Sequence, residues 1–133
     1  MNAARIREGG SEDFLPVMRT VEGALLEVDA EAIRSRLAEG SVLVAESDGR
    51  VVGALVFDRE RAQRVSNARS AHVEAIAVRR SRRRRGIGAA LVRAAIDRVD
   101  RLTADFDPRV RGFYEALGFE IEEREDRLWG VLA

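Results

Sequence analysis

Between residues 72 and 99 the chain passes from a strand-like to a helix-like pattern across one basic, glycine-bearing turn. That joint limits what the chain can fold into. His72-Val73-Glu74-Ala75-Ile76-Ala77-Val78 is a compact, largely apolar run of strand length, whereas Leu91, Val92, Ala95, Ile96 and Val99 recur at helical spacing. Between them stands Arg82-Arg83-Arg84-Arg85-Gly86-Ile87-Gly88-Ala89. Strand, turn and helix in that order aim the amides of a helix start at an anion. Gly86 and Gly88 let the main chain approach closely, and the arginines add charge and forked donors. The joint therefore points to a site for a phosphorylated small cofactor.

Composition excludes several other chemistries. The chain has 133 residues, enough for one domain, which is expected to span 1–133. It has no cysteine and a single histidine, His72, so cysteine nucleophiles, disulfides and multi-histidine metal sites are out and no metal is implied. Every basic residue is arginine, which removes lysine as a base or Schiff-base former. No apolar run approaches the ~20 residues of a membrane span. Met1-Asn2-Ala3-Ala4-Arg5 does not open like a signal peptide, so a cytoplasmic protein without a membrane partner is expected. Net charge is zero, yet six of the seven residues from Arg79 to Arg85 are arginine, a single local patch. Such a run often marks a solvated face or a nucleic-acid contact. Here it abuts the glycine turn and carries no stacking aromatics, which favours small-molecule phosphates over a polynucleotide.

The remaining pattern gives a coarse map. Arg5-Ile6-Arg7-Glu8 reads as a short strand. Ser11 or Asp13 can cap a helix running to about Val28, with Leu15, Met18, Val21, Leu25 and Leu26 on one face and Pro16 in its first turn. Asp29 caps a second helix that carries Ile33 and Leu37 and stops at Gly40. Asp48-Gly49 joins two β-rich runs as a hairpin, and Arg59 to Ala71 reads as a loop. Leu102 to Phe106 reads as a short buried strand. Asp107-Pro108 opens a helix with Val110, Phe113, Tyr114 and Leu117 on one face, and Glu120 to Leu132 forms a closing hairpin. The order β-α-α-β-β-β-α-β-α-β-β predicts a mixed α/β fold with one sheet of about seven strands and about four helices. On the central strand, a period of two places His72, Glu74, Ile76 and Val78 on one side.

Rival readings of the turn are weak. No Lys-Ser/Thr follows Gly88, so it is not a P-loop. A dinucleotide fingerprint would need glycine or alanine where Leu91 stands, although Asp105 lies about where a ribose-binding acid would be.

Two motifs together resemble the GNAT superfamily of N-acetyltransferases. Arg83-Arg84-Arg85-Gly86-Ile87-Gly88 is similar to its Q/R-x-x-G-x-G/A turn, and Phe113-Tyr114-Glu115-Ala116-Leu117-Gly118-Phe119 to its closing fYxxLGF helix. The resemblance implies a splayed central strand pair with the pantetheine arm of acetyl-CoA between the strands. Ile76, Ala77 and Val78 would line that arm, backbone groups of Ile76 and Val78 pairing with it. Arg83 fills the motif's first position, and the amides of Arg84, Arg85, Gly86, Ile87, Gly88 and Ala89 would cradle the pyrophosphate. Tyr114 would protonate the leaving thiolate, and the Val78 N–H would stabilise the oxyanion. Glu74 would take the amine's proton, with His72 or water as alternatives. Asp107 stands where family members commonly carry asparagine, which points instead to a helix-cap role. The implied activity is acetyl transfer from acetyl-CoA to a primary amine by direct attack, on a small molecule or a peptide. A homodimer fits the family's habit. A non-catalytic CoA-binding or regulatory module and a basic-patch nucleic-acid binder are the other function classes.

Overall fold

The computed structural model describes residues 4–23, 29–59 and 69–133. Seven strands form one sheet in the order β1-β2-β3-β4-β5-β7-β6. They are β1 (Arg5–Glu8), β2 (Val42–Ser47), β3 (Arg50–Asp58), β4 (Ser70–Val78), β5 (Arg101–Phe106), β6 (Glu120–Arg124) and β7 (Arg127–Leu132). Four helices accompany them among the described residues: α1 (Phe14–Gly23), α2 (Ala30–Ala38), α3 (Ile87–Ile96) and α4 (Arg111–Ala116). β4 and β5 run parallel and every other neighbouring pair is antiparallel. This is the mixed seven-stranded architecture expected from the sequence.

β3 lies inside the sheet with helices on both faces, which is why Val51 to Phe57 reads as an unbroken apolar run and is buried throughout. On one face Val17, Val21, Ile33 and Leu37 of α1 and α2 pack on Val42, Val44, Ala54, Val56, Ala75 and Ala77. On the other, Leu91, Val92 and Ala95 of α3 and Tyr114 of α4 pack on Leu43, Leu55, Val73, Leu102 and Phe106. Among the described residues, none of β5, β6 or β7 joins the α1/α2 core. Among the described residues, no helix is long and apolar enough to cross a membrane.

Local chemistry sets the element ends. Asp48 and Gly49 both adopt positive φ (54° and 74°), the twist a two-residue hairpin requires. Asp29 caps α2 by accepting the Glu31 amide at 3.1 Å. The entry to α1 differs from expectation. Gly10, not Ser11 or Asp13, is the cap residue of a 3-10 turn over Ser11–Asp13. Asp13 folds back to accept the Gly10 amide at 2.8 Å and is gripped by Arg7. The Arg7 bond holds its carboxyl below the usual range against the opposing effect of burial. With that entry Val17, Thr20 and Val21 turn inward, and Leu15 is left 61% exposed rather than on the packed face. Leu25, Leu26 and the helix's projected end at Val28 lie outside the described residues, as does 60–68 of the projected loop.

Asp107 is a helix cap, accepting the Arg109 amide at 2.8 Å. A 3-10 turn over Pro108–Val110 precedes α4, and its tighter winding rotates Val110 out to solvent, 45% exposed, away from Phe113 and Tyr114.

Candidate active site

β4 and β5 pair only from Ser70↔Arg101 to Val73↔Ala104; beyond that they part. Glu74 and Asp105 are thus the first residues past the fork, one on each arm. A cleft of about 420 Å³ opens there, with Val73 to Ile76 on one side, Asp105 to Asp107 on the other, and Phe113 and Tyr114 behind.

The β4 arm offers main-chain groups. Val56 pairs with Ala75 and Phe57 with Val73, so Glu74 has no partner across the ladder and forms a β-bulge. The bulge shifts the pleat. Before it, Val73 joins the α3/α4 core; after it, Ile76 and Val78 pack on that core while Ala75 and Ala77 join the other. The simple period of two therefore fails, and His72 faces the opposite side from Ile76 and Val78. Arg79 donates its amide to the Val52 carbonyl at 2.8 Å, which fixes the hydrogen-bonding alternation with β3. By that alternation Ala75 and Ala77 point their main-chain groups at β3, and Ile76 and Val78 point theirs into the gap. The Val78 carbonyl already accepts from Arg83 Nε at 3.0 Å.

The turn after β4 carries positive φ at Arg84 (66°) and Gly86 (78°). The first main-chain bond of α3 runs from the Ala90 amide to the Gly86 carbonyl. The amides from Arg84 to Ala89 donate to no carbonyl among the described residues, as expected of a helix start. Arg83, Arg84 and Arg85 are exposed, Ile87 is buried, and Gly88 and Ala89 are half-buried. Arg82 is tied to Ser47 at 3.1 Å and Asp48 at 3.8 Å rather than standing in solvent. A Cβ at Gly88 would come within 3.1 Å of the Phe113 ring, so this glycine brings α3 close to α4.

Tyr114 is 5% exposed, stacked on Phe106 at 3.9 Å and edge-on to Phe113 and Phe119. It borders the cleft, and no group among the described residues hydrogen-bonds its hydroxyl. Burial, with the nearby Asp105 charge, pushes its pKa up to about 12. The phenol therefore keeps its proton at neutral pH.

The side chains at the fork are held from behind. Glu74 is not enclosed by apolar neighbours as its strand suggested. Its side chain is 34% exposed and accepts from Arg36 Nε at 2.6 Å. Arg36 reaches Glu39 and Asp58 as well. His72, the alternative base, is 1% exposed and placed between Thr103 (2.7 Å) and Asp105 (2.8 Å), with Trp129 stacked at 5.1 Å. Asp105 also accepts from Arg127 Nε at 3.0 Å. Burial raises its pKa, but the His72 and Arg127 contacts outweigh that and hold it below the ordinary value. The structure thus brings Glu74, Ile76 and Tyr114 to one cleft and leaves His72 behind Asp105. Sequence reasoning missed Asp105, Arg127 and Arg36 as site groups. One signal was present: Thr103 and Asp105 alternate with Leu102, Ala104 and Phe106, the mark of a strand with one polar face.

Comparison with known proteins accords with this geometry. A family model described as Acetyltransferase (GNAT) domain matches residues 38–121. No curated protein sequence matches the chain. Among solved structures the fold is similar to Ard1 from Thermoplasma volcanium, at 22% identity and TM-score 0.78, covering 98% of this chain and 99% of that one. The ribosomal-protein-S18-alanine N-acetyltransferase from Escherichia coli gives 18% identity and TM-score 0.79, over 97% of this chain and 92% of that one. Diaminobutyrate acetyltransferase EctA from Paenibacillus lautus, solved with L-2,4-diaminobutyric acid and coenzyme A, gives 18% and 0.73, over 98% and 95%. With the forked β4–β5 pair, the turn at Gly86 and a family match over more than half its length, this chain belongs to the GNAT acetyltransferase family.

Proposed function

We propose that the protein, as a single domain over 1–133, transfers an acetyl group from acetyl-CoA to a primary amine by direct attack in a ternary complex. The observation that carries this is the fork. β4 turns the main-chain groups of Ile76 and Val78 into the gap, Ile76 lines the cleft that Tyr114 borders, and the helix start that follows has amides that donate to no carbonyl among the described residues.

The residues fit the co-substrate. The amides of Arg84 to Ala89 receive the pyrophosphate, with Arg83 to Arg85 supplying charge around it. Ile76 and Val78 line the pantetheine arm, whereas Ala77, with its main-chain groups on β3 and its side chain in the α1/α2 core, does not. Glu74, half-open at the fork, accepts the amine's proton directly or through water. The Val78 N–H stabilises the oxyanion as the nitrogen–carbon bond forms. As the carbon–sulfur bond breaks, the un-ionised Tyr114 hydroxyl donates to the leaving sulfur. No covalent enzyme intermediate is needed.

Family membership and the CoA complex of a fold neighbour support the reading. The test is a thiol-release screen with acetyl-CoA across amine classes, with a mass shift of 42 Da (roughly, one acetyl group) on any acceptor. Release above the amine-free rate with an acetylated product is expected. No acetyl-CoA binding by the folded protein would overturn it.

A further inference from the structure

Asp105 has no part in the reading above, yet it is the best-braced side chain in the cleft. It stands directly across the fork from Glu74, where β4 and β5 part. His72 Nε2 lies 2.8 Å from one carboxylate oxygen and Arg127 Nε 3.0 Å from the other. An ionised carboxylate only accepts, so His72 presents Nε2–H to it, and Thr103 at 2.7 Å from Nδ1 fixes the ring from behind. Trp129, paired with Asp105 across the ladder, stacks on the same imidazole. His72 is thereby too enclosed to meet a substrate itself.

The carboxylate is not used up. Its two oxygens offer about four acceptor positions. One on each oxygen is occupied by a side-chain donor, and the side chain is still 37% exposed. Its exposure leads two ways. Asp105 and Arg127 border both the fork cleft and a neighbouring cavity of about 340 Å³ beneath the β6–β7 turn, walled by Arg124 and Trp129. That cavity lies on the α1/α2 face of the sheet, beyond the part where, among the described residues, those helices pack. A molecule in it has its end at the fork.

Resting on the transferase reading, we infer that Asp105, braced by His72 and Thr103, is the anchor for the cationic end of the acceptor, which enters through this second cavity as an ammonium. The other charged or titratable groups around it are Glu74 on β4, Tyr114 on α4, Asp107 and Arg109 in the turn before it, Arg127 on β7, and Arg124, Glu125 and Asp126 around the second cavity. His72 and Arg127 keep Asp105 ionised against its burial, so it suits holding a cation and not taking a proton. Proton acceptance stays with Glu74 or water. Asp105 is a substrate-binding residue and His72 a positioning one.

His72 is the only histidine, so its imidazole resonances need no assignment against others. The test titrates n-butylamine, and separately 1-butanol, into the protein with and without CoA at neutral pH, following the His72 ring by NMR. The amine is expected to shift the Nε2–H signal saturably and the alcohol to leave it in place. In Asp105→Asn the amine affinity should fall about tenfold or more, and Asp105→Glu should recover part of it. With any acceptor turned over, Asp105→Asn should raise that acceptor's KM about tenfold while acetyl-CoA KM stays within about twofold. An unmoved His72 signal in the wild-type protein overturns the anchor, whether or not the variants fold. So does equal amine affinity in folded Asp105→Asn, or an equal rise in both KM values. The amine titration needs no turnover. A His72 response without acetyl-CoA binding would sink the transferase reading alone, and acetyl transfer without a His72 response would sink the anchor alone.

Discussion

The two arms of the fork are built from different material. β4 turns main-chain groups of Ile76 and Val78 into the gap, displaced by a bulge at Glu74 and continued by the amides of the turn into α3. β5 and β7 present the side chains of Asp105, Arg127 and Trp129, which are locked together with His72 from the paired stretch of β4. Main-chain donors fixed in a sheet and a helix start can grip a constant ligand whatever the side chains are. A side-chain cluster grips only what its particular residues match. On the proposed function, the β4 arm takes the co-substrate and the β5 arm the acceptor.

The sharpest break of that division is Tyr114→Phe. Its ring keeps the stack on Phe106, so acetyl-CoA affinity should hold while single-turnover acetyl transfer falls by roughly ten- to a thousandfold. Unchanged transfer would make Tyr114 a packing residue. On the β4 side, Gly88→Val drives a side chain into Phe113 and should cost ~1–3 kcal/mol in urea unfolding as well as acetyl-CoA affinity. Gly86→Ala meets open space and should cost only about 1–2 kcal/mol, from its left-handed φ. Equal losses for the two would show that Phe113 gives way freely. Glu74→Gln should lower transfer by about tenfold, because the amide cannot take a proton. An unchanged rate would leave the proton to water.

The smallest effect is alkaline. Tyr114 holds its proton to about pH 12 when folded, against 10.0 ordinarily. The unfolded chain gives up that proton first, so this contribution to stability is complete below pH 10.0 and is lost as pH rises toward 12. Tyr114 is the only tyrosine, so absorbance near 295 nm, roughly the tyrosinate band, reads it alone. A midpoint near 10 would mean that the ring is not buried as described.

The two arms also differ in how far the sequence revealed them. The turn at Gly86 and the Tyr114 helix are local: cap, glycine and apolar spacing all lie within a few residues. The mixed sheet follows from their order. The bulge at Glu74 depends on a mismatch with β3, seventeen residues upstream at Phe57, and period-two reasoning placed His72 on the wrong side of it. The Asp105 brace joins residues 33 positions apart through His72 and 22 apart through Arg127, a separation no local pattern reports. The displaced Leu15 has the same origin, since Arg7 on β1 captures Asp13 and reshapes the entry to α1.

The central claim is that acetyl-CoA lies in the fork against the β4 main chain, and amide resonances test it directly. In a titration of 15N-labelled protein with acetyl-CoA, Ile76, Val78 and the run from Arg84 to Ala89 should shift most. Ala75 and Ala77, whose amides face β3, should shift less. Saturable binding with the largest shifts elsewhere, or with Ala75 and Ala77 moving as much as Ile76 and Val78, would contradict the account.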